Sequence, residues 1–161
     1  MDLISGCLKV LFCCSICYHL LMKIILDTNI LVAACMGSKP ANTLVAQCLQ
    51  GVFCPIVGTA LFHEYETVLL REDIFTHCRL NVAEREELLN IFLSCCQWVK
   101  IYYAWRPNLR DEGDNHLIEL AVAGNAHYLI TRNIRDFYQV QLHFPHIHIR
   151  TPEDFLQEIT Q

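Results

Sequence analysis

Three groups of acids in this chain could share one chemistry. The first is Asp27, which closes the run Lys23-Ile24-Ile25-Leu26 and is followed by Thr28 and Asn29. A carboxylate placed directly after β-type sequence would cost about several kcal/mol to bury unpaired, so a solvated cleft or a cation is expected there. Thr28 and Asn29 can hydrogen-bond that carboxylate and fix its direction. The competing expectation for the same residues is an Asp that caps a helix beginning near Ile30.

The second group lies in Leu61-Phe62-His63-Glu64-Tyr65-Glu66. Two glutamates two residues apart stand about 200° apart around a helix, so only one can face a given cleft. Glu64, three residues after Leu61 and four before Val68, borders the apolar stripe, whereas Glu66 falls farther round. The third group is Asp111-Glu112-Gly113-Asp114, three acids just ahead of an apolar helix. Each group also has an ordinary structural reading, as a solvated helix acid or as a complement to a helix dipole. Together, Asp27, Glu64 and Asp114 offer what Mg²⁺ or Mn²⁺ requires: hard oxygen ligands, no soft ones, and coordination positions left to water and phosphate.

The elements that must hold these acids alternate between short β-type runs and longer helical ones. Lys23 to Asp27 reads as a buried strand, Pro40 to Gln50 as a helix, and Val52 to Val57 as a second strand. Thr59 can cap a helix running through Leu61, Tyr65, Val68 and Leu69. Residues 83 to 96 read as a helix with acids early, residues 97 to 103 as strand-like, and Arg106-Pro107-Asn108-Leu109 as a loop. A helix starting at Asp114 runs through Leu117, Ile118, Ala121 and Val122 and ends near Gly124-Asn125. The strand His127 to Thr131, a short strand near Ile147 to Arg150 and a helix opened by Thr151-Pro152-Glu153-Asp154 complete the series. Strands separated by helices imply parallel pairing, with right-handed crossovers covering both faces. Ligand sites in such sheets lie beyond the carboxyl ends of the strands. Asp27 ends the first strand and Thr131-Arg132-Asn133 a later one, so both can border one cleft.

The whole chain, 161 residues with 53% apolar content, suffices for one α/β domain with a real core. Its formal charge of −5 argues against phosphate binding by a basic surface, although acids gathered around a cation would carry local positive charge. The ten cysteines are scattered, without paired CxxC motifs, and are expected to be small buried thiols of a reducing, cytoplasmic compartment. His146 and His148 share a strand face but have no further ligands at fixed spacing. Residues 1–21 are too short in their apolar run for a membrane span and lead without a linker into the first strand. We expect Met22 to be the physiological start, residues 1–21 to be a spurious or disordered extension, and residues 22–161 to be the domain.

The chain resembles the PIN-domain nucleases, and within them the toxin-like branch of bacterial toxin-antitoxin operons (VapC-like). The resemblance rests on Ile24-Ile25-Leu26-Asp27-Thr28-Asn29-Ile30-Leu31-Val32, on Glu64-Tyr65-Glu66 before Val68-Leu69, and on Trp105-Arg106-Pro107-Asn108-Leu109-Arg110-Asp111 leading into Asp114. It continues through Leu117-Ile118-Glu119-Leu120-Ala121 and Tyr128-Leu129-Ile130-Thr131-Arg132-Asn133-Ile134-Arg135-Asp136-Phe137. It implies a three-layer α/β/α sandwich around a parallel sheet, often dimeric, with Asp27, Glu64 and Asp114 as metal-binding catalytic carboxylates. A fourth acidic position follows the strand ending at Thr131, and it stays open between Asn133 and Asp136. The activity implied is a Mg²⁺- or Mn²⁺-dependent endoribonuclease, the toxin of a toxin-antitoxin pair, with RNA as substrate and a cognate antitoxin as partner.

Thr28, Asn29, Thr131 and Arg132 are candidate substrate-binding residues, and Arg106, Arg110 and Arg135 could guide phosphates. Two other readings compete. An aspartyl-phosphate phosphotransferase would also place an Asp after its first strand, but it needs a second Asp where this chain has Asn29. A non-catalytic PIN-fold module binding nucleic acid or protein would keep the fold without a complete acid set.

Overall fold

The computed structural model describes residues 21–102, 114–137 and 144–160. Residues 1–20, the Trp105 to Asp111 segment with its arginines, and Glu112 lie outside the described residues. A five-stranded parallel sheet of order β3-β2-β1-β4-β5 forms the centre. Its strands are β1 (Lys23–Leu26), β2 (Cys54–Val57), β3 (Gln97–Trp98), β4 (Tyr128–Ile130) and β5 (His148–Arg150). The helices are α1 (Thr28–Cys35), α2 (Lys39–Leu49), α3 (Thr59–Leu69), α4 (Val82–Ser94), α5 (Asn115–Gly124) and α6 (Pro152–Ile159). The expected α/β sandwich around a parallel sheet is therefore the observed fold.

The central strand is apolar because both its faces are covered: Ile24, Ile25 and Leu26 are fully buried. It pairs with β2 on one side and β4 on the other, with Leu26 opposite Ile130. Pro55 sits within β2 at no cost to the ladder. The N–H of Cys54 points to Met22 beside β1, so the next residue's nitrogen faces the β3 side. There pairing starts only at Ile56 opposite Gln97, and no hydrogen bond is forfeited.

Several boundaries differ from expectation, each for a local reason. Gly58, rather than Thr59, is the N-cap of α3. Helix α4 begins at Val82 because Asn81 and Glu84 form a reciprocal capping box, at 3.0 and 2.8 Å. Strand β3 is only two residues long, although Val99 N–H still donates to Val57. Helix α6 starts as expected, with the Thr151 hydroxyl accepting from Asp154 N–H. Asn125 ends α5 in the left-handed region at φ 52°, a conformation Asn tolerates better than most residues.

The described thiols follow their expected role. Cys35, Cys48 and Cys54 are buried and Cys78, Cys95 and Cys96 partly so, all unbridged. Burial pushes the Cys35 thiol up to about 11, which keeps it protonated and inert. His148 packs its ring against Tyr128 at 5.3 Å. Among the described residues no helix is long and apolar enough to cross a membrane.

Candidate functional site

Strand β1 delivers Asp27 to the carboxyl edge of the sheet, and the chain turns there into α1. Asp27 is the N-cap of that helix, its Oδ1 accepting from Asn29 N–H at 3.5 Å. Capping and a site role, which compete in the sequence, coexist here because the second carboxylate oxygen is engaged elsewhere. Oδ2 accepts from the Thr131 hydroxyl at 2.6 Å and from the Asn29 side-chain amide. Asn29 reaches onward, its Oδ1 accepting from Arg132 N–H at 3.1 Å, while the Thr131 hydroxyl oxygen accepts from Asn133 N–H at 3.0 Å. The ends of β1 and β4 are thus stitched together around one carboxylate.

That carboxylate is only 7% exposed. Burial raises its pKa above the ordinary value, the Thr131 hydrogen bond pulls it back, and the neighbouring charge of Glu64 raises it again. Glu64 comes from α3. The inward face of that helix is set by Leu61, Tyr65 and Leu69, all buried, and Tyr65 fixes its seating by donating its hydroxyl hydrogen to the carbonyl of Leu26, next to Asp27. Glu64 flanks this face and turns to the carboxyl edge, whereas Glu66 points to solvent and pairs with His63 at 3.4 Å.

Helix α5 supplies a partner that composition and spacing do not single out. His116 Nε2 lies 3.1 Å from Glu64 Oε2, with the imidazole almost wholly buried. Burial raises the pKa of Glu64, but the neighbouring His116 and Thr28 side chains outweigh it, leaving the carboxyl below its ordinary value. The signal available in the sequence was a His one residue before Leu117 and four before Leu120, on the side of α5 that must be buried. Asp114 is the N-cap of α5, two residues from His116, and makes no side-chain cap hydrogen bond.

The structure therefore places Asn29 and Thr131 on Asp27, sets Glu64 within electrostatic reach of it, and puts Thr28 beside Glu64. It places Asp114 at the start of the helix whose first turn touches Glu64. Arg132 and Asn133 are exposed beyond β4, and Asp136 lies half-buried in a short 3-10 helix, Ile134–Phe137. Among the described residues no three His, Cys, Asp or Glu side chains are grouped closely enough to hold a metal ion. What links the two carboxylates is electrostatic: the charge of Glu64 raises the pKa of Asp27.

The PIN domain family profile matches residues 23–135, more than half the sequence and a span that contains Asp27, Glu64, His116, Asp114 and Thr131 but stops one residue short of Asp136. The chain belongs to the PIN domain family. Among solved structures, this PIN domain is similar to VapBC2 from Rickettsia felis, seen bound to a DNA fragment from their promoter. The identity is 19% and the TM-score 0.53, over 81% of this chain and 98% of the other. That likeness concerns the fold. No curated protein matches the chain.

Proposed function

We propose that this PIN domain is a divalent-metal-dependent nuclease that hydrolyses RNA, and that it is the toxin of a toxin-antitoxin pair. The observation that carries the catalytic part is the buried Asp27 carboxylate at the carboxyl edge of the sheet, held through Oδ2 by Thr131 and Asn29 and within reach of the charge of Glu64. Desolvation and the charge of Glu64 both raise the cost of ionising Asp27, a cost that a cation would relieve. The donor set suits Mg²⁺ or Mn²⁺: oxygen only, from one or two carboxylates, with the remaining positions open to water and phosphate. Asp27 and Glu64 would hold the ion, with Asp114 the third carboxylate and Asp136 or Asn133 the fourth donor. A bound divalent cation supplies Lewis-acid stabilisation of the phosphate and a lowered pKa for the attacking water.

The remaining chemistry belongs to the chain. Thr131 and Asn29 hold the Asp27 carboxylate in one orientation through Oδ2. His116, 3.1 Å from Oε2, would orient Glu64, and together with Thr28 it favours the ionised carboxyl. Arg132, exposed beside Asn29, can meet a substrate phosphate at the rim of the cleft. The toxin-antitoxin part draws on the VapBC2 likeness and on the VapC-like residues of the sequence. A cognate antitoxin would then inhibit by covering this cleft, and a homodimer and a cytoplasmic setting accompany that reading.

The test is incubation of the purified chain with single-stranded and structured RNA, in Mg²⁺, in Mn²⁺ and in EDTA. We expect cleavage that EDTA abolishes and that Asp27→Asn and Glu64→Gln both remove. Cleavage persisting in EDTA would overturn the metal mechanism. RNA binding without cleavage in either metal, by a folded chain, would replace the nuclease with a non-catalytic binding module.

A further inference from the structure

Outside the carboxylate site, the described surface carries one strip that pairs exposed aromatic rings with a cation. Trp98 is 54% exposed, Tyr102 75% exposed, and Lys100 between them is also exposed. The intervening residues face inward. Val99 Cγ2 would lie 3.3 Å from a Cβ built on Gly124 of α5, and Ile101 Cδ1 3.5 Å from one built on Gly58. Alternation along an extended segment then sends Trp98, Lys100 and Tyr102 to the other face. Two contacts agree with this: Trp98 packs edge-on against Phe62 of α3, with ring centroids 5.3 Å apart, and Lys100 Nζ stands 5.2 Å over the Tyr102 ring.

The strip leads towards the carboxylates. Strand β3 runs parallel to β1, so Lys100 and Tyr102, past its carboxyl end, lie off the same edge of the sheet as Asp27. Only β2 separates the two strands, a lateral distance of about 10 Å at ordinary strand spacing. Round α3, the order from the strip is Phe62, then His63, then Glu64, because successive residues turn by about 100°. Phe62 and His63 hold their rings 5.4 Å apart, and His63 is exposed.

We infer that Trp98, Lys100 and Tyr102 form a binding strip for single-stranded nucleic acid, with bases stacking on the two aromatic rings and Lys100 meeting a phosphate. The chemistry fits a strand rather than a duplex: stacking needs unpaired base faces, and aromatic rings with an interleaved cation are how sequence-tolerant single-strand sites are built. It also resolves a difficulty of charge. A chain of net charge −5 cannot collect nucleic acid over its whole surface, whereas residues 97–102 contain no acid and offer one local track. This inference deepens the nuclease reading and rests on it for its purpose, but not for its test.

The test is binding of a short fluorescein-labelled single-stranded RNA by the full chain in EDTA, followed by anisotropy, with the same sequence as a blunt duplex for comparison. We expect Trp98→Ala and Tyr102→Ala each to weaken single-strand binding on the order of ten-fold, and Trp98→Phe to restore most of it. Lys100→Ala should lower the salt dependence by about one ion. All three positions changed, Trp98, Lys100 and Tyr102, are exposed, and circular dichroism confirms the fold of each of the four variants. Unchanged single-strand affinity in both alanine variants, or equal affinity for the duplex, overturns the strip. Loss of a dimer in Trp98→Ala with RNA binding intact assigns the surface to a second copy and overturns it too. Strip-dependent binding without cleavage leaves the strip standing while the nuclease reading fails; cleavage with unchanged KM in all the variants does the reverse.

Discussion

The Thr131 hydroxyl donates a 2.6 Å hydrogen bond to Oδ2 of Asp27 across 104 residues of sequence. Asp27 N–H donates to Ile130 carbonyl at 2.9 Å, so the backbone ladder between β1 and β4 brings the side chains together at its last rung. The site is an extension of the sheet: whatever fixes the β1–β4 register also fixes the orientation of the buried carboxylate.

Thr131→Val keeps the shape and removes the donor. Asp27 Oδ2 would lose the bond that most opposes its desolvation, so its pKa should rise further. The stability loss at neutral pH should be about 1–3 kcal/mol, the cost of leaving a buried polar group short of a partner. Urea denaturation measures the loss, and carboxyl-carbon NMR follows Asp27. A variant as stable as the parent with an unmoved Asp27 titration would show that the hydroxyl contributes nothing.

Asp27→Asn should have the opposite effect on the metal-free chain. A raised folded-state pKa means that Asp27 is easier to ionise unfolded, so stability is withdrawn as pH rises from the unfolded pKa through the folded one. The neutral amide escapes that penalty and keeps an acceptor for Thr131. At neutral pH the variant should gain about 0.5–2 kcal/mol, a gain that vanishes in acid where the parent is protonated as well. Mg²⁺ should raise the melting temperature of the parent and not of the variant. Calorimetry at neutral and acid pH, with and without Mg²⁺, reads all three.

The parts of this arrangement legible in the sequence are those encoded locally. Asp27 stood out because an acid follows an apolar strand, and Glu64 because it borders an apolar helical stripe while Glu66 does not. Thr151-Pro152 announced α6 through capping chemistry alone. Asn81 and Glu84 carry the same kind of signal ahead of α4, a capping box that acids near a helix start only partly announce. The His116 contact with Glu64 was not legible, because the two side chains meet only when α3 and α5 pack at the sheet edge. The same applies to the length of β3: its residues are β-type, but ladder pairing stops where β2 ends at Val57. Between Asn133 and Asp136 the choice depends on how the chain leaves β4, which no periodicity encodes.

His116 acts through Glu64, and its replacement should separate positioning from packing. In His116→Phe the pKa of Glu64 should rise, since the groups that lower it are reduced to Thr28. A depressed carboxyl contributes stability that is present above its unfolded pKa and lost as pH falls through the folded value. That acid-side contribution should therefore shrink in the variant. Cleavage should fall roughly 10- to 100-fold, as for other groups that orient a metal ligand, with His116→Gln restoring part of it by returning a donor. A flat effect on rate with an unmoved Glu64 titration would make His116 a packing residue only.

Gly124 sets how closely α5 approaches the sheet, and so where His116 meets Glu64. A Cβ added there would lie 2.3 Å from Ile56 Cδ1 and 3.3 Å from Val99 Cγ2. The first contact cannot persist: either Ile56 Cδ1 swings away by χ2 rotation within a core where Ile56 is 1% exposed, crowding its other neighbours, or α5 moves outward. Overpacking of this kind costs about 1–3 kcal/mol, against a helix-propensity gain of roughly 1 kcal/mol for alanine over glycine. Gly124→Ala should therefore be net destabilising and should also reduce cleavage by shifting His116. Ile56→Val removes the clashing methyl, so the double variant should recover stability beyond the sum of the single changes, with a favourable coupling of at least about 0.5 kcal/mol. Additive single and double variants in denaturant titrations would mean that α5 reseats freely, and that Gly124 does not hold the site in register.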